Sequence, residues 1–94
     1  MDNNLLNLEE FCLFTFASTS AALKAESVLK AQSFEHIMIP TLREISSSCG
    51  LSVKIHPDGL EACRQILADH RIKIEKCYHV RKDGGKYKIS EVAF

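Results

Sequence analysis

The run Phe11-Cys12-Leu13-Phe14-Thr15-Phe16 constrains this chain most, because it is short, rich in aromatics and apolar on both sides. Such a run reads as a buried strand. Side chains alternate across a strand, so Cys12, Phe14 and Phe16 share one face while Phe11 and Leu13 share the other. A two-layer fold covers only one of these faces. The other needs a cover, either the residues before Leu8 or a second subunit, so a homo-oligomer is one way of supplying it.

The segments that follow alternate in type. Ser18, Thr19 and Ser20 are three candidate helix caps. Behind them Ala21, Ala22, Ala25, Val28 and Leu29 recur at helical spacing, which predicts a helix over 19–32. His36–Pro40 reads as a second strand, with Pro40 ending it or placing it at an edge. The polar segment Thr41–Ser48 reads as a loop with room for one helical turn, and Leu51–Ile55 as a strand with one buried face. A second helix follows, with Leu60, Cys63, Ile66 and Leu67 as its buried stripe and its end near His70. Its start has two readings. Asp58 with Glu61 resembles a capping box, and His56 can cap with Pro57 at the first helical position. Ile72–Val80 reads as a fourth strand, Asp83-Gly84-Gly85 as a hairpin turn, and Lys86–Phe94 as a fifth strand.

The order β-α-β-β-α-β plus a hairpin strand predicts an α+β fold, a ferredoxin-like two-layer sandwich with sheet order 4-1-3-2. Ninety-four residues suit one domain over 1–94. In this topology the first strand ends, the first helix begins, the second strand ends and the third begins at one end of the sheet. The Thr41–Ser48 loop and the Ser18–Ser20 cap are therefore expected to be neighbours.

Hydrophobic residues at 46% and charged residues at 26% exclude a disordered chain. Twelve basic residues balance twelve acidic ones, so net charge supplies no general attraction to nucleic acid or anionic membrane. The first residues carry no cation before an apolar run, and the longest apolar stretch is too short to span a bilayer. A cytoplasmic location, where cysteines stay reduced, is expected. The third strand offers Leu51, Val53 and Ile55 where RNA-binding relatives of this fold place aromatic rings, so no nucleic-acid partner is expected.

Cys12, Cys49, Cys63 and Cys77 are widely spaced, with no C-x-x-C, and the four histidines form no helical pair. Neither a metal nor another cofactor is expected. Cys12 and Cys77 lie in expected strands and Cys63 in a helical stripe, which assigns them to packing. Cys49 alone falls in a loop. A nucleophilic thiol needs a lowered pKa, and a helix N-terminus or a cation supplies it. The Ser18–Ser20 helix start and Arg43 are the candidates. Ser46, Ser47 and Ser48 add hydroxyl donors, and Gly50 permits close approach by another molecule. The plainer reading is a loop cysteine tucked into the core, with Arg43 and Glu44 a solvated pair.

The segments Phe14–Glu26 and Pro40–Leu51 resemble the selenium/sulfur carrier-like family of small bacterial proteins, most specifically in Arg43-Glu44-Ile45-Ser46-Ser47-Ser48-Cys49-Gly50. The resemblance covers about 11–80, and 81–94 reads as an extension. The family pattern commonly has proline before the arginine, where this chain has Leu42. The resemblance implies that Cys49 is a carrier thiol supported by Arg43 and Gly50. It also implies a persulfide or selenopersulfide donor enzyme and an acceptor protein as partners, and a carrier more than a stand-alone enzyme. The alternative is a module that binds a small ligand or anion at the Ser18–Ser20 cap and the Ser46–Ser48 loop, with Cys49 incidental.

Overall fold

The computed structural model describes residues 5–45 and 50–93. Five strands, β1 (Glu10–Thr15), β2 (Ile37–Pro40), β3 (Leu51–Ile55), β4 (Lys76–Asp83) and β5 (Lys86–Val92), form one sheet in the order β2-β3-β1-β4-β5. Every neighbouring pair is antiparallel. Read from β4, the first four strands follow the expected 4-1-3-2 order, and β5 extends the sheet beyond β4. Helices α1 (Thr19–Ala31) and α2 (Leu60–Asp69) pack together on one face.

Local chemistry sets the element ends. Ser18 caps α1, its hydroxyl accepting from Ala21 N at 3.1 Å. Both helices stop in a Schellman turn. Ser33 N and Phe34 N donate to the carbonyls of Lys30 and Leu29, and Arg71 N and Ile72 N to those of Ala68 and Leu67. Ser33 and Arg71 hold φ of 55° and 59° there. Of the two readings for the second helix start, the structure takes His56 as cap and Pro57 as first residue of a 3-10 turn leading into α2. Gly59 precedes α2 with no side-chain cap bond, so the Asp58–Glu61 capping box does not form. Gly84 and Gly85 both take positive φ, as a two-residue hairpin turn of the primed type requires.

The fourth strand is displaced from its expected place at 72–80 to Lys76–Asp83. Pairing is the reason. Its ladder with β1 begins at Thr15 with Lys76, so residues 72–75 lie beyond the end of β1. At its far end Arg81–Asp83 are held by Lys88, Tyr87 and Lys86 of β5.

Two hydrophobic clusters lie on opposite faces of the sheet. On the helix side Cys12, Phe14 and Phe16 pack with Ala22, Ala25 and Leu29 of α1, Cys63 and Leu67 of α2, and Val53, Ile55 and Cys77. On the other side Phe11, Leu13 and Val80 pack with Ile45, flanked by Leu8, Ile39, Leu42, Tyr78 and Ile89. The second face is therefore covered from within the chain. The loop after β2 supplies Leu42 and Ile45, and Leu8 follows the 3-10 turn Leu5–Asn7. The need for cover that argued for a second subunit is met this way.

That cover overturns the one-sided reading of β3. Ser52 and Lys54 lie opposite Thr15 and Leu13, and they are 0% and 5% exposed rather than solvated.

Candidate functional site

The site anticipated from sequence surrounds the loop between β2 and β3. Cys49, Ser46, Ser47 and Ser48 lie outside the described residues. The two feet of the loop are described. Thr41 N donates to the Gly50 carbonyl at 2.9 Å, and the Thr41 hydroxyl pairs with the buried Ser52 hydroxyl at 2.8 Å. These bonds close the loop's base at the end of the sheet where β1 finishes, since Thr15 faces Ser52. The Ser18 cap of α1 follows Thr15 by three residues, so the loop's feet and the helix start share one end of the sheet.

From its first foot the loop turns across the face opposite the helices. Ile45 N donates to the Leu42 carbonyl at 2.9 Å, closing a tight turn that drives Ile45 into the Phe11–Leu13–Val80 cluster. Arg43 and Glu44 stand exposed on this turn. Ser18, Thr19 and Ser20 are exposed at the start of α1. Among the described residues no hydrogen bond joins Arg43 to the Ser18–Ser20 cap; the feet of the loop and the cap share one end of the sheet. Gly50 is exposed and has no positive φ, and a Cβ there would meet no described atom within 4 Å. What glycine offers at that position is open space for close approach, not a special backbone angle.

The other three cysteines have a different environment. Cys12, Cys63 and Cys77 are free thiols at 1%, 0% and 0% exposure, all in the helix-side cluster. Burial pushes the Cys12 thiol up, with the Glu10 carboxylate adding. Burial, then the neighbouring Cys12, pushes Cys63 up to about 12. Cys77 also rises to about 12 through burial, with Cys12 and Cys63 adding and the Arg64 guanidinium opposing. A thiolate is costly in such surroundings, so these side chains behave as small hydrophobes. This agrees with their assignment to packing. His79 sits at the sheet surface, its Nε2 2.7 Å from Glu10 Oε2.

Sequence reasoning missed Lys54. Its Nζ lies 4.2 Å from the centre of the Phe11 ring, a cation–π contact inside the covered face. Burial lowers its pKa from 10.5. The available signal was the first strand itself, since apolar residues on both of its faces require both faces of the neighbouring strand to be covered as well. Ile45 was equally hidden, as one of two apolar residues, with Leu42, within a polar segment. Among the described residues no three His, Cys, Asp or Glu side chains gather as metal ligands, and no helix is long and apolar enough to cross a membrane.

Comparison with known protein families places this geometry in context. The family described as "Putative Se/S carrier protein-like" matches residues 11–79, from β1 into β4, and the chain belongs to that family. The match includes the whole loop between β2 and β3 and stops before β5. No curated protein and no solved structure matches the chain.

Proposed function

We propose that this protein carries sulfane sulfur or selenium as a persulfide or selenopersulfide on Cys49, receiving it from a donor enzyme and passing it to an acceptor protein. The observation that carries the reading is the family match across the Cys49 loop. The burial of Cys12, Cys63 and Cys77 supports it, because three of the four thiols are withdrawn into a core that disfavours their thiolates.

The chemistry is thiol exchange. The Cys49 thiolate attacks the terminal sulfur of a donor persulfide. A new S–S bond forms at Cys49, the donor's S–S bond breaks, and the donor cysteine leaves as a thiolate. A selenopersulfide reacts alike at selenium. Arg43, exposed on the turn, is a cation within the same loop, and Gly50 leaves the second foot open to a partner's sulfur. Ser46, Ser47 and Ser48 add hydroxyl donors, and the Ser18–Ser20 start of α1 adds the positive end of a helix at the same end of the sheet. In this reading the fold is ferredoxin-like, which the β2-β3-β1-β4 order supports, and the compartment is the reducing cytoplasm.

Incubation with a cysteine-desulfurase-type donor, followed by intact mass measurement, tests the reading. One added sulfur, about 32 Da, on wild type and none on Cys49→Ser is the expected result. The same adduct on Cys49→Ser, or none on wild type, overturns it. In the latter case, slow alkylation of Cys49 at neutral pH would favour an anion-binding module instead.

A further inference from the structure

We propose that the outer edge of β5 pairs antiparallel with the same edge of a second copy of this chain, making a two-fold dimer with one continuous sheet. The proposal is independent of the chemistry at Cys49.

The sheet has two outer strands, β2 and β5, and their edges differ. In an antiparallel ladder a residue's N–H and C=O point to the same neighbour, and successive residues point to opposite sides. Thr41 N donates to the Gly50 carbonyl, on the β3 side. Counting back by twos, Ile39 and Ile37 turn their backbone groups to β3, while Met38 and Pro40 turn theirs outward. Pro40 has no N–H, so the outer edge of this four-residue strand lacks one of its donors.

β5 has no such block. Lys82 N donates to the Glu9 carbonyl, on the β1 side, so Tyr87, opposite Lys82 in the ladder, does not use its backbone groups there. The two-residue Gly84-Gly85 turn sets the same phase, because it makes Asp83 and Lys86 the first bonded pair. Tyr87, Ile89 and Glu91 therefore direct N–H and C=O outward, where no further strand lies among the described residues. The strand is seven residues long and contains no proline. It also carries Tyr87, one of the two large hydrophobic side chains exposed among the described residues.

Edge lysines oppose pairing when they face each other, and register decides whether they do. Centring the ladder on Ile89 puts Ile89 opposite itself, Tyr87 opposite Glu91, Lys88 opposite Ser90 and Lys86 opposite Val92. The whole of β5 is then paired, about six backbone hydrogen bonds form, and no like charges are directly opposed. The Tyr87 phenol, a donor, meets the Glu91 carboxylate, an acceptor, on both sides of the axis. Lys88 keeps its own counter-ion, with Asp83 Oδ2 3.2 Å from its Nζ. The neighbouring two-fold registers are poorer. One centres on Lys88 and opposes two ammonium groups. The other centres on Ser90, sets Ile89 against Glu91 and leaves Tyr87 beyond the end of the opposite strand. The edge is thus complementary to itself in one register.

Ile89 already packs against the Phe11–Leu13–Val80 cluster, so pairing at the axis joins the clusters of the two copies. β5 lies beyond the residues 11–79 that the family matches. It is also at the opposite edge of the sheet from β2, so Thr41 and Gly50 stay clear of the interface.

Sedimentation equilibrium of the wild-type chain under reducing conditions, over roughly 5–200 μM, tests this in a range suited to a small interface. The expected result is a mass that rises with concentration toward twice that of one chain. Backbone hydrogen exchange at Tyr87, Ile89 and Glu91 should slow by about threefold or more between the two ends of that range, with Met38 unchanged. Tyr87→Glu places a carboxylate opposite Glu91 on both sides of the axis and should weaken association about tenfold or more. Tyr87→Glu combined with Glu91→Lys sets opposite charges there and should restore it. A mass of one chain throughout overturns the proposal. So does a dimer that Tyr87→Glu leaves intact, a double variant that stays monomeric, or exchange that slows at Met38 in place of β5. The exchange measurement uses wild type alone, so it decides the matter even if Tyr87→Glu fails to fold.

Discussion

Cys63 ionises at about 12 in the fold against 9.0 in an unfolded chain, because burial denies its thiolate water. Between those values the folded state holds a proton that the unfolded state has lost. The stability contribution of this thiol is therefore complete below pH 9 and falls as pH rises through the window toward 12. Cys63→Ala removes this dependence. We expect the stability advantage of wild type over the variant to shrink by about 1.4 kcal/mol per pH unit above 9. Urea unfolding under reducing conditions at pH 8 and pH 10.5 measures it, and an unchanged gap would show the thiol to be hydrated. Lys54 acts in the opposite direction. Its pKa is lowered from 10.5 by burial, so its contribution to stability rises with pH between the lowered value and 10.5.

At the level of elements, the helix ends combine good hydrogen bonding with a poor residue choice. Ser33 and Arg71 occupy left-handed positions where glycine is the usual residue, at φ of 55° and 59°. A side chain with a Cβ is strained there, by about 1–2 kcal/mol in the general case. Ser33→Gly and Arg71→Gly are each expected to raise stability by about 0.5–1 kcal/mol after the entropy of a freer unfolded chain is deducted. Thermal or urea midpoints read this directly, and a lowered midpoint would mean that the native side chain makes compensating contacts. The hairpin shows the same rule obeyed, with Gly84 and Gly85 where φ is positive. These local features were legible in the sequence: the Ser18 cap, the helix 60–69 with its Cys63–Leu67 stripe, and the glycine turn. The start of β4 was not, because nothing in Ile72–Glu75 says where β1 stops offering hydrogen bonds.

For the whole molecule, the sheet is covered on both faces by different means, two helices on one side and Leu42, Ile45 and Leu8 on the other. Ile45 is 7% exposed although it follows the exposed Arg43 and Glu44 in the turn. Ordinary loop substitutions change stability by less than about 0.5 kcal/mol. Ile45→Ala should instead cost about 2–5 kcal/mol, as truncation of a core isoleucine does, because it opens the Phe11–Leu13–Val80 cluster. Chemical denaturation of this variant beside Leu29→Ala, whose side chain is fully buried in the helix-side core, makes the comparison. A cost near zero for Ile45→Ala with a large one for Leu29→Ala would show that the loop is not docked.

The sequence by itself determined what depends on neighbours along the chain. Periodicity marked the strands and helices, polar and glycine residues marked their ends, and the helical stripe and strand placement of Cys63, Cys12 and Cys77 marked them as core. Around the candidate site, the loop, its exposed Arg43 and the capped helix start were legible for the same reason. Only the tertiary structure decided what covers the second face of the sheet. That cover includes Ile45 meeting a strand more than thirty residues away, a long-range contact that no local pattern encodes. With it came the burial of Ser52 and Lys54, which alternation alone assigns to solvent. It also set Leu42 and Ile45 on the opposite side of the sheet from the three buried thiols.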